Sequence, residues 1–168
     1  MSQIIVLVTF YSRTGATETL ATAAAVGAVQ ARAGIRMRRL PDVDQEAVLA
    51  RYPESAETLR RMWTEYVPPK EADLLAADGV VVGLPDDLVP SSIECAPFFE
   101  LLNRLSAEGK LARKAAAVVG GDSASAVAAA LRRAGFTLAA APEAAPDARG
   151  GAIALGRRLV STAESLKG

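Results

Sequence analysis

Two short runs of the chain are apolar at every position, and this constrains the fold more than any other feature. Residues 4–8 read Ile-Ile-Val-Leu-Val, and residues 79–83 read Gly-Val-Val-Val-Gly. A strand that lacks a polar side is buried on both faces, which is typical of a parallel sheet covered by helices. The two runs therefore predict an α/β fold built around a buried parallel sheet.

Strand and helix patterns alternate along the whole chain. We predict strands over residues 4–8, 35–40, 79–83, 114–119 and 136–138, and helices over residues 16–33, 45–51, 55–65, 72–77, 93–106, 124–134 and 150–166. Ser123 is the predicted N-cap of the sixth helix, and Gly34 the predicted stop of the first. Residues 141–149 are rich in proline and alanine and predict a linker.

This alternation predicts a three-layer sandwich, with helices on both faces of a five-stranded parallel sheet. The 168 residues allow one domain with a full core, so residues 1–168 are predicted to form a single domain. Five strands suit the order 2-1-3-4-5, in which a ligand binds at the switch point between strands 1 and 3.

Residues 41–70 are predicted to be an insertion between strands 2 and 3, because they hold helical patterns but no strand. Trp63, Tyr52 and Tyr66 lie in this segment. Such aromatic side chains either stack on a ligand, here or in a neighbouring subunit, or pack the insertion onto the sheet. The strand before the insertion alternates Ile35 and Met37 with arginines, which predicts an edge strand with one solvated face. We interpret its arginines, Arg36, Arg38 and Arg39, as solvated.

Composition excludes several classes of function. Lysine plus arginine equals aspartate plus glutamate, at 19 each, so no nucleic-acid partner is expected. The apolar runs are too short for membrane insertion. The chain has no histidine and one cysteine, Cys95, which excludes the usual zinc sites, serine–histidine and cysteine–histidine catalysis, and an intrachain disulfide. No metal site and no catalytic side chain is predicted. The single cysteine and the absence of a signal-peptide pattern predict a cytoplasmic location.

Three loops are expected to meet at one crevice. In the predicted strand order, the loops after strands 1, 3 and 4 share one edge of the sheet, and here they are residues 12–17, 84–92 and 120–123. The first loop opens a helix, where free N–H groups and the positive end of the helix dipole favour a phosphate monoester. The alternative is a capped helix start without a ligand, because serine and threonine are common there.

The first loop, Ser12-Arg13-Thr14-Gly15-Ala16-Thr17, resembles the Thr/Ser-x-Thr-Gly-x-Thr signature of flavodoxins. The wider pattern Tyr-Ser-x-x-Gly-x-x-Glu-Thr-Leu-Ala, over residues 11–21, looks like the WrbA-type NAD(P)H:quinone oxidoreductases, which are NADPH-dependent FMN reductase-like proteins. Matches continue at Gly-x-Pro (83–85), Gly-Lys-Leu-Ala (109–112) and Arg-Ala-Gly-Phe (133–136). They occur in order across nearly the whole chain.

The resemblance implies a flavodoxin-like fold with non-covalently bound FMN, and NAD(P)H as the co-substrate. It implies electron transfer to a quinone or similar small-molecule acceptor, and assembly as a homo-oligomer, either a dimer or a tetramer. The cofactor-binding residues that it implies are Ser12, Arg13, Thr14, Gly15, Ala16 and Thr17 at the phosphate, Pro85, Asp86, Asp87, Leu88 and Val89 on one side of the ring, and Gly120, Gly121 and Asp122 on the other.

Two departures from that family keep other functions open. Its second loop usually carries a Thr-Arg-aromatic-Gly-Asn pattern, whereas this chain has Asp86-Asp87-Leu88-Val89-Pro90, and its third loop is shortened to Gly120-Gly121-Asp122. Negative charge at the ring disfavours a reduced, anionic flavin, although the two aspartates equally suit an exposed polar turn. A flavodoxin-like module with lost or weak flavin binding is therefore one alternative. A flavodoxin-type electron carrier is another, although such carriers are usually strongly acidic.

Overall fold

A computed structural model describes residues 2–142, 145 and 147–168. In this part of the chain, five parallel strands form one sheet in the order β2-β1-β3-β4-β5. The strands are β1 (Ile5–Phe10), β2 (Gly34–Arg39), β3 (Gly79–Gly83), β4 (Ala115–Val119) and β5 (Thr137–Leu138). The predicted class, strand number and strand order are confirmed.

Seven α-helices are seen in the described ranges. They are α1 (Ala16–Gln30), α2 (Gln45–Arg51), α3 (Ala56–Glu65), α4 (Glu71–Ala76), α5 (Ala96–Ala107), α6 (Ala124–Arg133) and α7 (Ala148–Lys167). A 3₁₀ turn, Pro53–Ser55, precedes α3. None of the described helices is long and apolar enough to cross a membrane.

Three predicted helix ends are wrong by two or three residues. The chain leaves α1 through Arg32, whose φ is +69°, so Gly34 is the first residue of β2 and not the helix stop. The fifth helix begins at Ala96, because residues 90–95 form successive turns. The last helix begins at Ala148, where the Asp147 side chain accepts the Gly150 N–H at 2.6 Å and caps it. Of the predicted linker, residues 143, 144 and 146 lie outside the described residues.

Both faces of the sheet are covered, as the apolar strands require. Val6, Val8 and Phe10 of β1 face a core shared with α1, α3 and α7. Leu7 of the same strand faces the opposite core, which is shared with α4, α5 and α6. This alternation is the two-residue period of a strand buried on both sides. The sheet is therefore a rigid base for the loops at its edge.

Helices α1 and α7 cross at two glycines. A methyl group at Gly27 of α1 would overlap the Ile153 carbonyl, and a methyl group at Gly156 of α7 would overlap the Ala24 carbonyl. The absence of a side chain at both positions lets the two backbones touch. This close crossing packs α1 directly against α7.

The insertion packs on the sheet through α3. Leu59 and Met62 of α3 are fully buried in the core beneath α1 and α7. The Tyr66 ring meets the Phe10 ring edge to face, with centroids 5.0 Å apart, and Tyr52 and Trp63 pack on the same core. The structure thus supports the packing interpretation of these aromatic residues. It places the insertion directly beside the start of α1.

The edge strand β2 carries one error in our interpretation. Arg36 is exposed and Arg38 is half-buried, and both pair with Asp73, but Arg39 is only 3% exposed. The end of β2 runs beneath the first loop and is covered by the insertion, so a side chain there that faces inward cannot reach solvent. The prediction that Arg39 is solvated is wrong.

Candidate functional site

The three loops predicted to form a site do begin side by side. The last residues of the central strands, Phe10, Gly83 and Val119, are register neighbours across β1, β3 and β4. The loops that follow them, residues 12–17, 84–92 and 120–123, therefore leave the same edge of the sheet at adjacent positions. We call the space among them the crevice.

The first loop holds its own shape through Ser12 and Gly15. The Ser12 hydroxyl is buried and accepts the Gly15 N–H at 3.0 Å. Gly15 has a φ of +96°, a left-handed conformation that strains any residue with a side chain. Because Ser12 Oγ is engaged within the turn, this hydroxyl is less free for a ligand than the resemblance implies.

The start of α1 presents free donors. Gly15 is its N-cap and has no side chain, and the nearest alternative cap, Thr14 Oγ1, lies 3.4 Å from the Ala16 nitrogen. Within the described chain, no side chain caps the N–H groups of Thr17 and Glu18. Thr14 and Ala16 are exposed, whereas the Thr17 side chain is buried against Gly83. Free N–H groups at the positive end of a 15-residue helix suit an anion.

The carboxylate of Glu18, beside this helix start, is hydrogen-bonded and charge-paired by residues of the insertion. Both Glu18 oxygens accept from Arg61, at 2.6 and 2.9 Å, and one also accepts from Tyr66 at 2.6 Å. The hydrogen bonds from Arg61 keep the pKa of Glu18 below its ordinary value, despite partial burial. Burial and this carboxylate together raise the pKa of Tyr66 to about 12. The positive charge of Arg61 thus compensates the negative charge of Glu18, which reduces its repulsion of an anion bound at the first loop.

Arg13 links the first loop to the second. Its guanidinium lies over the rings of Tyr11 and Tyr52, 5.2 and 5.4 Å from their centroids, and pairs with Asp87 at 2.9 Å. The Arg13 side chain is 13% exposed, whereas that of Asp87 is 58% exposed. The pair therefore spans the crevice at its surface.

The second and third loops touch each other through Asp86. Its carboxylate accepts the Asp122 N–H at 2.9 Å, and a methyl group on Gly121 would overlap one of its oxygens. Ser123 is the N-cap residue of α6, as predicted, but its hydroxyl makes no capping hydrogen bond and instead donates to the Leu84 carbonyl at 3.4 Å, between the two loops. Leu88 is buried in the core, whereas Val89 is exposed. Gly120 has a φ of +132° and lies against the Leu84 carbonyl, where a methyl group would come within 2.9 Å of the oxygen, and Pro85 is half-buried.

Sequence reasoning missed a buried cluster beneath the first loop. It consists of Tyr11, Arg39, Asp42 and Trp63, joined by hydrogen bonds to the Asp42 carboxylate. One signal was available for Arg39: the two-residue strand period places it on the same side as Ile35 and Met37. No comparable pattern marks Asp42, which only the path of the insertion brings under the loop.

Cys95, at the start of α5, is a buried packing residue. It is fully inaccessible, and burial raises the pKa of its thiol to about 12. A thiol with that pKa is neutral at physiological pH and is a poor nucleophile.

The described residues also line two cavities. One, of about 550 Å³, lies between α6 and α7 and reaches the third loop at Gly120. The other, of about 330 Å³, lies between Pro41 of the insertion and Phe98 of α5. Within the described residues, the first loop lines neither of them.

No family model and no curated protein matches this chain, but solved structures do. A flavodoxin, WrbA-like protein from Agrobacterium tumefaciens aligns over 98% of this chain and 99% of its own, with a TM-score of 0.65 at 18% identity. A flavodoxin from the domain Archaea aligns over 98% and 100%, with a TM-score of 0.63 at 18% identity. The chain has a flavodoxin-like fold. Rubredoxin oxygen:oxidoreductase from Desulfovibrio gigas contains the same fold: its match, at TM-score 0.67 and 14% identity, covers 97% of this chain and 37% of that one.

The two ends of the crevice differ in how well they fit FMN, the cofactor that a flavodoxin-like fold implies. The first loop fits a phosphate, because α1 starts with uncapped N–H groups next to the exposed Thr14 hydroxyl. At the other end, Asp86 fills the contact between the second and third loops, and neither 84–92 nor 120–123 contains an aromatic residue. The residues implied for the two sides of the ring thus already contact each other, so this end fits a flavin ring less well than the first loop fits a phosphate.

Proposed function

We propose that this protein binds FMN non-covalently in the crevice and passes electrons from NAD(P)H to a quinone or similar acceptor. The observation that carries the proposal is the start of α1. Its uncapped N–H groups lie at the carboxyl edge of the central strands of a flavodoxin-like fold.

Each loop has a distinct part in this proposal. The N–H groups of Thr17 and Glu18 and the Thr14 hydroxyl hold the phosphate, and Gly15 keeps the backbone close to it. Arg13 supplies positive charge at the rim, where it now pairs with Asp87. FMN, when bound, supplies hydride acceptance and electron transfer, so the chain itself needs no general base. The backbone of residues 85–89 and 120–122 orients the ring.

The proposal is tested by reconstitution. The purified protein, incubated with FMN and freed of excess cofactor, is expected to retain a flavin absorbance spectrum and to oxidise NADPH when benzoquinone is added. Retained flavin without NADPH oxidation would rule out the proposed reductase activity but would still support FMN binding. Loss of all flavin on gel filtration would contradict the proposed FMN binding as well.

The contact between Asp86 and the Asp122 N–H favours a second candidate, a flavodoxin-like module that has lost its flavin. In this reading the two loops stay closed and no ring enters. Calorimetric titration separates the two functions. Measurable heat and a saturable dissociation constant for FMN support the first, whereas a folded protein without FMN-dependent heat supports the second.

A further inference from the structure

The buried cluster beneath the first loop contains a carboxylate that is fully removed from solvent. The Asp42 side chain is 0% exposed. One of its oxygens accepts the Tyr11 hydroxyl, and the other accepts Trp63 Nε1 at 2.7 Å and an Arg39 nitrogen at 3.0 Å. Three donors from three parts of the chain thus converge on one side chain of the insertion.

Arg39 connects this buried cluster to the first loop. The same guanidinium nitrogen that meets Asp42 donates to the Ser12 carbonyl at 2.6 Å, while its neighbour donates to the Leu40 carbonyl at 3.2 Å. The guanidinium lies 4.9 Å from the centroid of the Tyr11 ring, and its side chain is 2% exposed. Ser12 is therefore fixed twice, at its carbonyl by Arg39 and at its hydroxyl by the Gly15 N–H.

Arg39 needs Asp42 as its partner, because burying a guanidinium group without a counter-charge is energetically unfavourable. Among the described residues, Asp42 is the carboxylate that pairs with Arg39. If Asp42 were neutral, Arg39 would gain by turning towards solvent, and the Ser12 carbonyl would lose its donor. Fewer contacts would then hold the backbone turn that orients the N–H groups at the start of α1.

We propose that Asp42 is a positioning residue for the phosphate end of the site: through Arg39 it fixes the Ser12 turn and so holds the first loop in its anion-binding shape. This inference rests on the proposed FMN binding. It assigns the insertion a part in the site, since Asp42 and Trp63 both belong to residues 41–70.

Coulomb repulsion alone predicts the opposite change in phosphate affinity, so the direction of the measured change distinguishes the two explanations. Asp42 is an anion beneath a loop that would bind an anion, so its neutralisation would strengthen phosphate binding if only Coulomb forces mattered. A purely structural role would lower the melting temperature and leave the affinity of the folded protein unchanged. A positioning role weakens the binding of phosphate in particular.

The experiment compares FMN with riboflavin, which lacks only the phosphate, in the wild-type chain and in Asp42→Asn. Dissociation constants are measured by flavin fluorescence at a temperature where circular dichroism shows both proteins folded. We expect Asp42→Asn to weaken FMN binding by about ten-fold and to leave riboflavin binding unchanged. Asp44→Asn is the matched control, because Asp44 caps α2 within the same insertion and is exposed. It is expected to keep the wild-type preference for FMN.

A second variant decides the matter if Asp42→Asn does not fold. Arg39→Lys keeps the positive charge, but a single ammonium group cannot reproduce the planar fork that meets both Ser12 and Asp42. It is expected to lose the same preference for FMN over riboflavin. A wild-type preference retained in the folded variants would overturn the positioning role alone. Equal binding of FMN and riboflavin by the wild-type chain would instead overturn the proposed function, and this inference with it.

Discussion

Asp86 joins the second and third loops at the place where the proposed flavin ring would lie. Its carboxylate holds the Asp122 N–H at 2.9 Å and lies against Gly121. In the proposed FMN complex, the same aspartate would add negative charge near a reduced flavin. It would therefore oppose flavin binding both by occupying a backbone donor and by its charge.

Removal of this carboxylate should increase flavin affinity. We expect Asp86→Ala to bind FMN about five-fold more tightly than the wild-type chain, because the Asp122 N–H becomes free and the space beside Gly121 opens. Asp122→Ala is the matched control, since it removes one negative charge from the third loop and keeps the backbone N–H. Titration calorimetry on the three proteins measures the effect. Equal gains in both variants would assign it to charge and not to the contact.

Glu18 makes stability depend on pH in a defined direction. Its pKa in the folded protein is lowered, first by the hydrogen bonds from Arg61. Its contribution is therefore complete above the ordinary glutamate pKa and is lost as the pH falls through the lowered value. We expect Glu18→Gln to reduce the free energy of unfolding by about 1 kcal/mol at pH 7, and by less at pH 3.

Glu65 supplies the control for this prediction. It pairs with the same Arg61 at 2.7 Å, but its side chain is 49% exposed. Glu65→Gln should change the free energy of unfolding little at either pH, because solvent screens an exposed pair. Urea titrations of the wild type and both variants at the two pH values provide the comparison. A Glu18→Gln loss that stayed constant with pH would show that the carboxylate charge is not responsible.

At the scale of residues, the sequence indicated which three loops would meet, but not the contacts among them. Ser12, Thr14 and Gly15 were recognisable because hydroxyls and a glycine at a strand-to-helix turn have a known use. The pairing of Arg13 with Asp87 and of Asp86 with the Asp122 N–H joins residues far apart in the chain. No local pattern specifies such contacts. That the 14 implied residues bind a cofactor stays a prediction.

Among the elements, α1 and α7 cross with their backbones in contact. A methyl group at Gly156 would overlap the Ala24 carbonyl, and backbone cannot move aside as a side chain can. We expect Gly156→Ala to lower the free energy of unfolding by about 2 kcal/mol, because overpacking outweighs the gain in helix propensity. Thermal unfolding followed by circular dichroism measures it.

Gly151, on the same helix, tests the explanation. A methyl group there would meet only the Ala145 side chain, at an ordinary distance of 3.7 Å. Gly151→Ala should therefore raise the free energy of unfolding by up to about 1 kcal/mol, through helix propensity alone. If both variants destabilised the protein equally, close packing at Gly156 would not be the cause.

The elements themselves were largely predictable, because they follow from local patterns. The run at residues 79–83 and the helix at residues 45–51 match β3 and α2 at both ends. The errors fall where an end depends on one backbone angle, as at Arg32, or where a predicted capping hydroxyl bonds instead to a residue distant in sequence, as Ser123 does with Leu84. Arg39 was misread for a related reason: the insertion that buries it arrives from elsewhere in the chain.

For the whole molecule, the alternation of strands and helices predicted the parallel sheet, and the order 2-1-3-4-5 was the known arrangement that five such strands suit. What the fold cannot supply is the ligand, since flavodoxin-like structures at 14–18% identity share architecture with this chain and nothing finer. The function therefore depends on one physical claim: the uncapped start of α1 takes a phosphate.

The dissociation constants of FMN and riboflavin for the wild-type chain, measured side by side by fluorescence titration, test that claim most directly. The phosphate adds charge-assisted hydrogen bonds at the first loop, so FMN is expected to bind about a hundred-fold more tightly than riboflavin. Equal affinities, or binding of neither flavin by the folded protein, would contradict it.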